Sequence, residues 1–351
     1  GGMPMNQSIR RICLTATAAC GLLLAPASAQ TTATTDPVGV MSLTIPSGSP
    51  TVRSFSFLSF PLLAPPQGIQ GISSGEISAV GANYIEVHDG NWSSGELSNV
   101  SYPFIIRFES GDAEGLTLLI SSASPNSSDR LFFDTEATGD RTLPELGAAV
   151  GDAFSIYATD TIRSAFGDES NGIVGGSGID DADVIEMYRN GAWERFYFDT
   201  SRSEWVQFRR GLPGSDDVPI LPQTGVLYSR IGANPLDFGL VGHVANVEIQ
   251  TILPPGVSFI GTGRPTEVTL VSLGLQNIPN WVASSDFENA DTVEIFIQGA
   301  WSRFWFDGSD WRQFRRGFPL ANNVILPEGM ALVVNRVGAS GSNKYQQNVS
   351  Y

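Results

Sequence analysis

Two aromatic stretches hold the residue types best suited to recognition chemistry: Trp193, Arg195 and Tyr197 in one, Trp301, Arg303 and Trp305 in the other. In an extended strand, side chains alternate between faces, so each trio shares one face. An aromatic plane flanked by arginine and aspartate can stack against a sugar ring, which makes these six the candidate ligand-binding residues. Aromatic packing inside a β-sandwich draws on the same types, and that alternative stays open. Asp180, Asp181 and Asp183 precede the first stretch, and Asp286, Glu288 and Asp291 the second. Their oxygens are candidate calcium ligands, although neither group follows a helix-loop-helix ligand spacing; the alternative is a solvated, turn-capping lead-in. Glu186 and Glu294 hold equivalent places and could serve as the two carboxylates of a glycosidase, or simply line a solvated strand face.

Other chemistry is poorly provided for. Only His88 and His243 exist, and no Gly-x-Ser-x-Gly elbow accompanies them, which argues against Ser-His-Asp catalysis and a histidine-rich zinc site. Both cysteines, Cys13 and Cys20, fall in the first 29 residues, so a chain cleaved there has neither disulfides nor thiolate metal ligands. The expectation is a non-catalytic protein with no cofactor other than calcium.

The elements that must position these residues are strands. Glycine and proline clusters punctuate short runs rich in Val, Ile, Phe, Tyr and Thr, as in Ser54-Phe55-Ser56-Phe57 and Tyr84-Ile85-Glu86-Val87-His88. The pattern predicts an all-β protein of antiparallel sandwich or barrel modules. Only 145–150, 160–166 and 268–275 could hold a short helix.

The chain also resembles itself. The stretch from Ala182 to Asp199 matches that from Ala290 to Asp307 at more than half its positions, and Trp205-Val206-Gln207-Phe208-Arg209-Arg210-Gly211 matches Trp311-Arg312-Gln313-Phe314-Arg315-Arg316-Gly317. Each unit reads as a three-strand meander with turns at Asn190-Gly191 or Gln298-Gly299, its last strand running through Trp-x-Gln-Phe-Arg-Arg. A two-residue length difference falls between the second and third strands, where a loop absorbs it. Phe196, Phe198, Phe304 and Phe306 form the opposite, core-facing side of the aromatic strand. Leu221-Pro222-Gln223-Thr224-Gly225 matches a cell-wall sorting signal in letters, but Leu326-Pro327-Glu328-Gly329 holds the same place in the second unit, so both read as strand-entry turns.

Residues 1–29 read as a secretory signal: Arg10 and Arg11, an apolar stretch from Ile12 to Leu24, and the small-residue site Ala27-Ser28-Ala29. A β domain over 30–168 and a duplicated β domain over 169–340 are expected to follow, with repeat units at about 180–233 and 288–339 and a polar, anchorless tail over 341–351. Without Arg10 and Arg11, 18 basic residues face 36 acidic ones, a net charge of 18 − 36 = −18. Nucleic acid and anionic membranes are poor partners for such a chain, and no apolar run beyond the leader is long enough for a membrane helix.

Several short motifs, in order, carry a likeness: Thr35-Asp36-Pro37-Val38-Gly39, Arg107-Phe108-Glu109-Ser110-Gly111, Val150-Gly151-Asp152, the paired Gly-Ala-Trp units, and Pro255-Gly256-Val257-Ser258-Phe259. Over nearly the whole mature chain they resemble an uncharacterised paralogous family of secreted proteins described from Verrucomicrobium and its relatives. The resemblance implies a bacterial envelope or extracellular protein and no activity. The resulting expectation is an exported, non-catalytic structural or surface-associated protein of a Gram-negative-type envelope or extracellular matrix, partnered by itself or by envelope glycans. A carbohydrate-binding module is the alternative, and a glycan-active enzyme the third reading.

Overall fold

Runs of β-branched and aromatic residues fit a pleated surface, and nearly every such run in this chain is a strand. The computed structural model describes residues 37–134, 139, 141–189, 191–245, 248–297, 299–338 and 343–347; the expected signal over 1–29 lies outside them. The chain begins with β1 (Val38–Ile45) and β2 (Ser54–Leu58). A second group follows: β3 (Ser74–Val80), β4 (Tyr84–Val87), β5 (Phe104–Phe108), β6 (Thr117–Leu119), β7 (Arg130–Phe132) and β8 (Ala153–Ala158). Then come β9 (Asp160–Thr161), helix α1 (Ile162–Phe166), β10 (Val184–Arg189), β11 (Ala192–Asp199), β12 (Glu204–Gln207), β13 (Pro219–Ile220), β14 (Val226–Arg230) and β15 (Leu236–His243). The last group is β16 (Ile249–Leu253), β17 (Gly256–Gly261), β18 (Val268–Thr269), β19 (Thr292–Ile297), β20 (Ala300–Phe306), β21 (Trp311–Gln313), β22 (Ile325–Leu326), β23 (Ala331–Arg336) and β24 (Asn343–Gln347). The fold is all-β with antiparallel sheets, as the alternation predicts.

The three segments with helical character diverge. Residues 160–166 yield α1, whose start is capped by the Thr161 hydroxyl accepting from the Ser164 N–H. Residues 268–275 give the short strand β18 and then single 3-10 turns, and 145–150 gives turns. Among the described residues no helix is long and apolar enough to cross a membrane.

Two five-stranded sheets run in the orders β2-β14-β10-β11-β12 and β17-β23-β19-β20-β21. Their registers agree: Val184 faces Tyr197 and Ser229, while Thr292 faces Trp305 and Asn335. The hairpins into β11 and β20 turn at Gly191 and Gly299, with φ of 75° and 77°, a conformation that any Cβ would strain. Asn190 and Gln298, expected in the same turns, lie outside the described residues. Two-stranded ribbons β1-β15 and β9-β13 accompany the first sheet, and β16-β24 and β18-β22 the second.

Strand pairing divides the chain differently from the expected boundary at 168. β1 pairs with β15 and β2 with β14, although both lie in the stretch expected to form a separate N-terminal domain. The cause is a shared core, in which Met41, Leu43, Ile45 and Leu58 pack with Ile185, Phe196, Phe198 and Trp205. Only β3 to β8 form a sheet of their own, in the order β6-β5-β8-β3-β4-β7, with a core around Ile106, Phe108, Leu131 and Phe154. The chain leaves the first core after Ala64 and returns at Ala158, whose N–H donates to the Ala64 carbonyl at 2.9 Å.

The expected polar tail holds a strand as well. β24 pairs with β16, and the buried Tyr345 donates its hydroxyl to the Leu273 carbonyl at 2.6 Å. Tyr345 belongs to the third core, with Leu253, Val293, Phe304 and Trp311. One buried tyrosine among polar neighbours has no periodicity to read.

Candidate functional site

Along β11 and β20 the alternation places Phe196 and Phe198 in the first core and Phe304 in the third, with Phe306 half-buried against it. The opposite face is open along only part of its length. Tyr197 is 1% exposed and Trp305 2%. The Tyr197 hydroxyl donates to the Ser177 carbonyl at 3.4 Å, and the Trp305 indole N–H to the Ser284 carbonyl at 3.1 Å. Loops leading into β10 and β19 thus cross this face and cover its far end. Of the six candidate ligand-binding residues, Trp193, Arg195, Trp301 and Arg303 reach solvent, so the six do not form one exposed platform.

The two tryptophans that remain outside are partly engaged. Trp193 is 44% exposed and packs against Phe259 of β17, centroids 5.3 Å apart; Trp301, 52% exposed, meets Phe57 of β2 edge-on at 4.8 Å. Each sheet's tryptophan therefore rests on the other sheet. Phe57, Phe259 and Ala331 are buried between the sheets, with Tyr188, Leu227, Phe296 and Val333 around them.

Beyond Gln207 and Gln313 the chain leaves the sheet, whereas the sequence suggested that the strand continued through both arginines. Gly211 and Gly317 have positive φ, as do Leu212 at 42° and Phe318 at 43°, and this reverses the chain. The Leu212 N–H donates to the Arg209 carbonyl, and the Phe318 N–H to the Arg315 carbonyl, both at 2.9 Å. Arg209, Arg210, Arg315 and Arg316 stand exposed at these tips beside the exposed Phe208, Phe314 and Phe318. Among the described residues, their four guanidiniums make no ion pair and no hydrogen bond. Other arginines are matched, Arg107 with Glu109, Arg163 with Asp168, Arg230 with Asp183, Arg303 with Glu294 and Arg312 with Asp307, while the exposed Arg195 guanidinium lies over the Phe208 ring, 5.1 Å from its centroid, with no ion pair among the described residues. The doubled Arg-Arg-Gly was the sequence signal for these tips, hidden by its assignment to a strand.

Of the six acidic lead-in residues, Asp183 and Asp291 are buried, while Asp180, Asp181, Asp286 and Glu288 are exposed. Asp183 is buried and accepts from the Tyr228 hydroxyl (2.9 Å), Arg230 Nη1 (2.8 Å) and the Ile231 and Val174 N–H groups (2.8 and 3.0 Å). Asp291 accepts from the Val337 and Val282 N–H groups at 2.7 and 3.0 Å, with Arg336 Nε 3.7 Å away; burial holds its carboxyl above the usual range. Backbone N–H bonds from Ser177, helped by the Ser177 hydroxyl and Gly178, hold the Asp181 carboxyl low. Asp286 accepts from the Glu288 N–H, while Asp180 and Glu288 are exposed. Among the described residues no three acidic or histidine side chains gather as a metal site would need.

Glu186 and Glu294 sit opposite Arg195 and Arg303 in their sheets. Burial raises the Glu186 carboxyl, opposed by the charges of Arg195 and Arg53, and Glu294 accepts from Arg303 Nε at 2.7 Å. His88 is exposed, and the His243 ring lies 6.0 Å from that of Tyr157. No family model matches the chain, and neither a curated protein nor a solved structure matches it.

Proposed function

We propose that this is an exported, non-catalytic, surface-associated protein of the cell envelope or extracellular matrix, which assembles by docking its two arginine hairpins onto carboxylates of a second copy. The observation that carries this reading is the set of four exposed, unmatched guanidiniums at Arg209, Arg210, Arg315 and Arg316, placed on two like-built hairpins. In a chain with 36 acidic residues against 20 basic ones, unmatched carboxylates are in excess, so one copy offers what another copy's tips require. A guanidinium fork grips a carboxylate bidentately, and the neighbouring phenylalanines add apolar area to the contact. Tip on body is a heterologous contact, which extends into chains unless its rotation closes a ring. The agreeing strand orders and registers support descent of both sheets from one duplicated unit, which would have supplied the second tip.

Light scattering across a concentration series tests this. Wild type should associate with rising concentration, and the variant with all four arginines changed to serine should stay monomeric. Salt alone discriminates poorly, because it screens repulsion between two acidic bodies as well as attraction at the tips. A monomeric wild type at every concentration overturns the proposal. So does a monomer whose tips bind a polyuronate, which would make the partner an acidic glycan.

A further inference from the structure

A strand at the end of a sheet leaves one row of N–H and C=O groups without partners, and native chains blunt such edges with lysine, proline, a bulge or a covering segment. The larger sheets of this chain follow that rule. Gly214 meets β12 opposite Val206, Leu320 meets β21 opposite Arg312, Met330 meets β2 opposite Leu58 and Thr224 meets β17 opposite Ile260. Beyond β6 and β7, Ile120 pairs with Phe133, which joins the two ends of the six-stranded sheet. β1 breaks the rule. It pairs with β15 on one side, and no described residue pairs with it on the other. The Val244 N–H donates to the Pro37 carbonyl at 2.8 Å, which sets the alternation: Gly39, Met41, Leu43 and Ile45 bond towards β15, while Val38, Val40, Ser42 and Thr44 aim their N–H and C=O groups outwards. Among the described residues these outward groups have no partner. Nothing in the strand blunts them: Val-Gly-Val-Met-Ser-Leu-Thr-Ile holds neither charge nor proline, its register with β15 runs unbroken, and Val40 is 77% exposed. The ribbon's other edge is guarded, since β15 carries Asp237 and is met at His243 by Leu63.

We infer that β1 pairs antiparallel with β1 of a second copy, about a twofold axis at Met41, and joins the two ribbons into one four-stranded sheet. That register sets Val38 of one copy against Thr44 of the other and Val40 against Ser42, so every outward residue of both strands finds a bonded partner. It also places Val38 and Thr44, both β-branched, opposite each other on the outer face. Charge favours this occupant. With 36 acidic residues against 20 basic ones, two copies repel wherever their carboxylates meet, and a charge-free strand is where their backbones can approach. The inference rests on the assembly reading of the arginine tips and adds a second surface to it. Four residue pairs make a smaller contact than the roughly 1,000 Å² of a stable interface, so a single pairing is short-lived. Chains held by tip contacts carry many β1 edges, and pairing then adds up along two chains laid side by side.

Hydrogen exchange read by mass spectrometry tests this on the full chain, at concentrations where light scattering shows association. The segment carrying the Val40, Ser42 and Thr44 amides should exchange about tenfold more slowly in wild type than in the monomeric four-arginine variant. Val40→Pro removes one outward N–H and no internal bond, and Ser42→Lys puts a charge on the outer face. Each should still associate through the tips, but with the slow exchange lost and with assemblies one chain wide instead of two under negative-stain microscopy. Ser42→Lys decides the matter if Val40→Pro does not fold. Wild-type assemblies whose β1 amides exchange as fast as those of the four-arginine variant overturn the inference and leave the tips intact. Slow exchange in that variant while it is monomeric also overturns it, because another part of the same chain then covers the edge. A four-arginine variant that assembles with β1 protected overturns the tip reading instead, and a wild type that stays monomeric overturns both.

Discussion

The two buried carboxylates at the head of the meanders are built alike but bonded unequally. Asp183 has four donors within 3.0 Å, Arg230 among them, while Arg336 stays 3.7 Å from Asp291. Removing one partner of a buried pair strands the other charge, typically at about 3–5 kcal/mol. Asp183→Ala should therefore fall in that range and cost more than Asp291→Ala, as read by urea denaturation; equal losses would show that the closer bonding contributes nothing. Acidity separates two other carboxylates by sign. Glu186 has a folded pKa raised by burial, so the stability it contributes is complete below its unfolded value of about 4.3 and is lost as pH rises through the folded value. Glu186→Gln should thus gain on wild type across that rise. Asp181, held low by its N–H donors, behaves oppositely: its contribution is present above about 3.9 and is lost as pH falls through the depressed value, so the cost of Asp181→Asn should fade in acid. Denaturation midpoints over a pH series check both, and parallel curves for variant and wild type would refute them. Little of this was legible in the sequence. Asp183 and Asp291 looked like surface ligands because an acidic residue beside a turn is usually solvated, and nothing local announces an arginine arriving from a strand more than forty residues later.

At the scale of elements the sequence was more informative, because a period of two is a local property. The hairpins β10–β11 and β19–β20 and the phenylalanine side of each aromatic strand follow from alternation and glycine alone, whereas of the three segments that could hold a helix only 160–166 does among the described residues. What covers the other side does not. Tyr197 and Trp305 are buried by segments that pack on the sheet from outside its strands, and tertiary contacts of that kind leave no periodic trace. The two sides should respond differently to mutation. Phe304 is fully buried in the third core, so Phe304→Ala should cost about 3–5 kcal/mol once the cavity is counted. Trp301 and Phe57 meet edge-on between the sheets, and a double-mutant cycle on them should return about 0.5–1.5 kcal/mol of coupling. Zero coupling would mean that the two sheets are joined by other contacts.

For the whole molecule, the decisive fact is where the six-stranded sheet enters and leaves. β2 hands the chain to β3–β8 after Ala64, and it returns at Ala158, which is hydrogen-bonded back to Ala64, before β9 pairs with β13. The entry and exit points are therefore neighbours, although the six-stranded sheet stays part of one compact unit and is tied to the rest by Gln223, Gln250 and Lys344, which donate to the Thr117 and Asp112 carbonyls. Sequence order concealed this, since β1 and β2 stand far along the chain from the strands they complete. Excising 65–157 and closing the gap with a short glycine-serine bridge should leave both five-stranded sheets folded. Leu63, which packs with Ile105 and Tyr157 and would be uncovered, is changed to serine in the same variant. The shortened chain keeps Trp205 and Trp311 in their cores, so their fluorescence should report one cooperative urea transition, with an m-value reduced in step with the surface removed. A shortened chain without a cooperative transition would show that the six-stranded sheet is a required part of the fold.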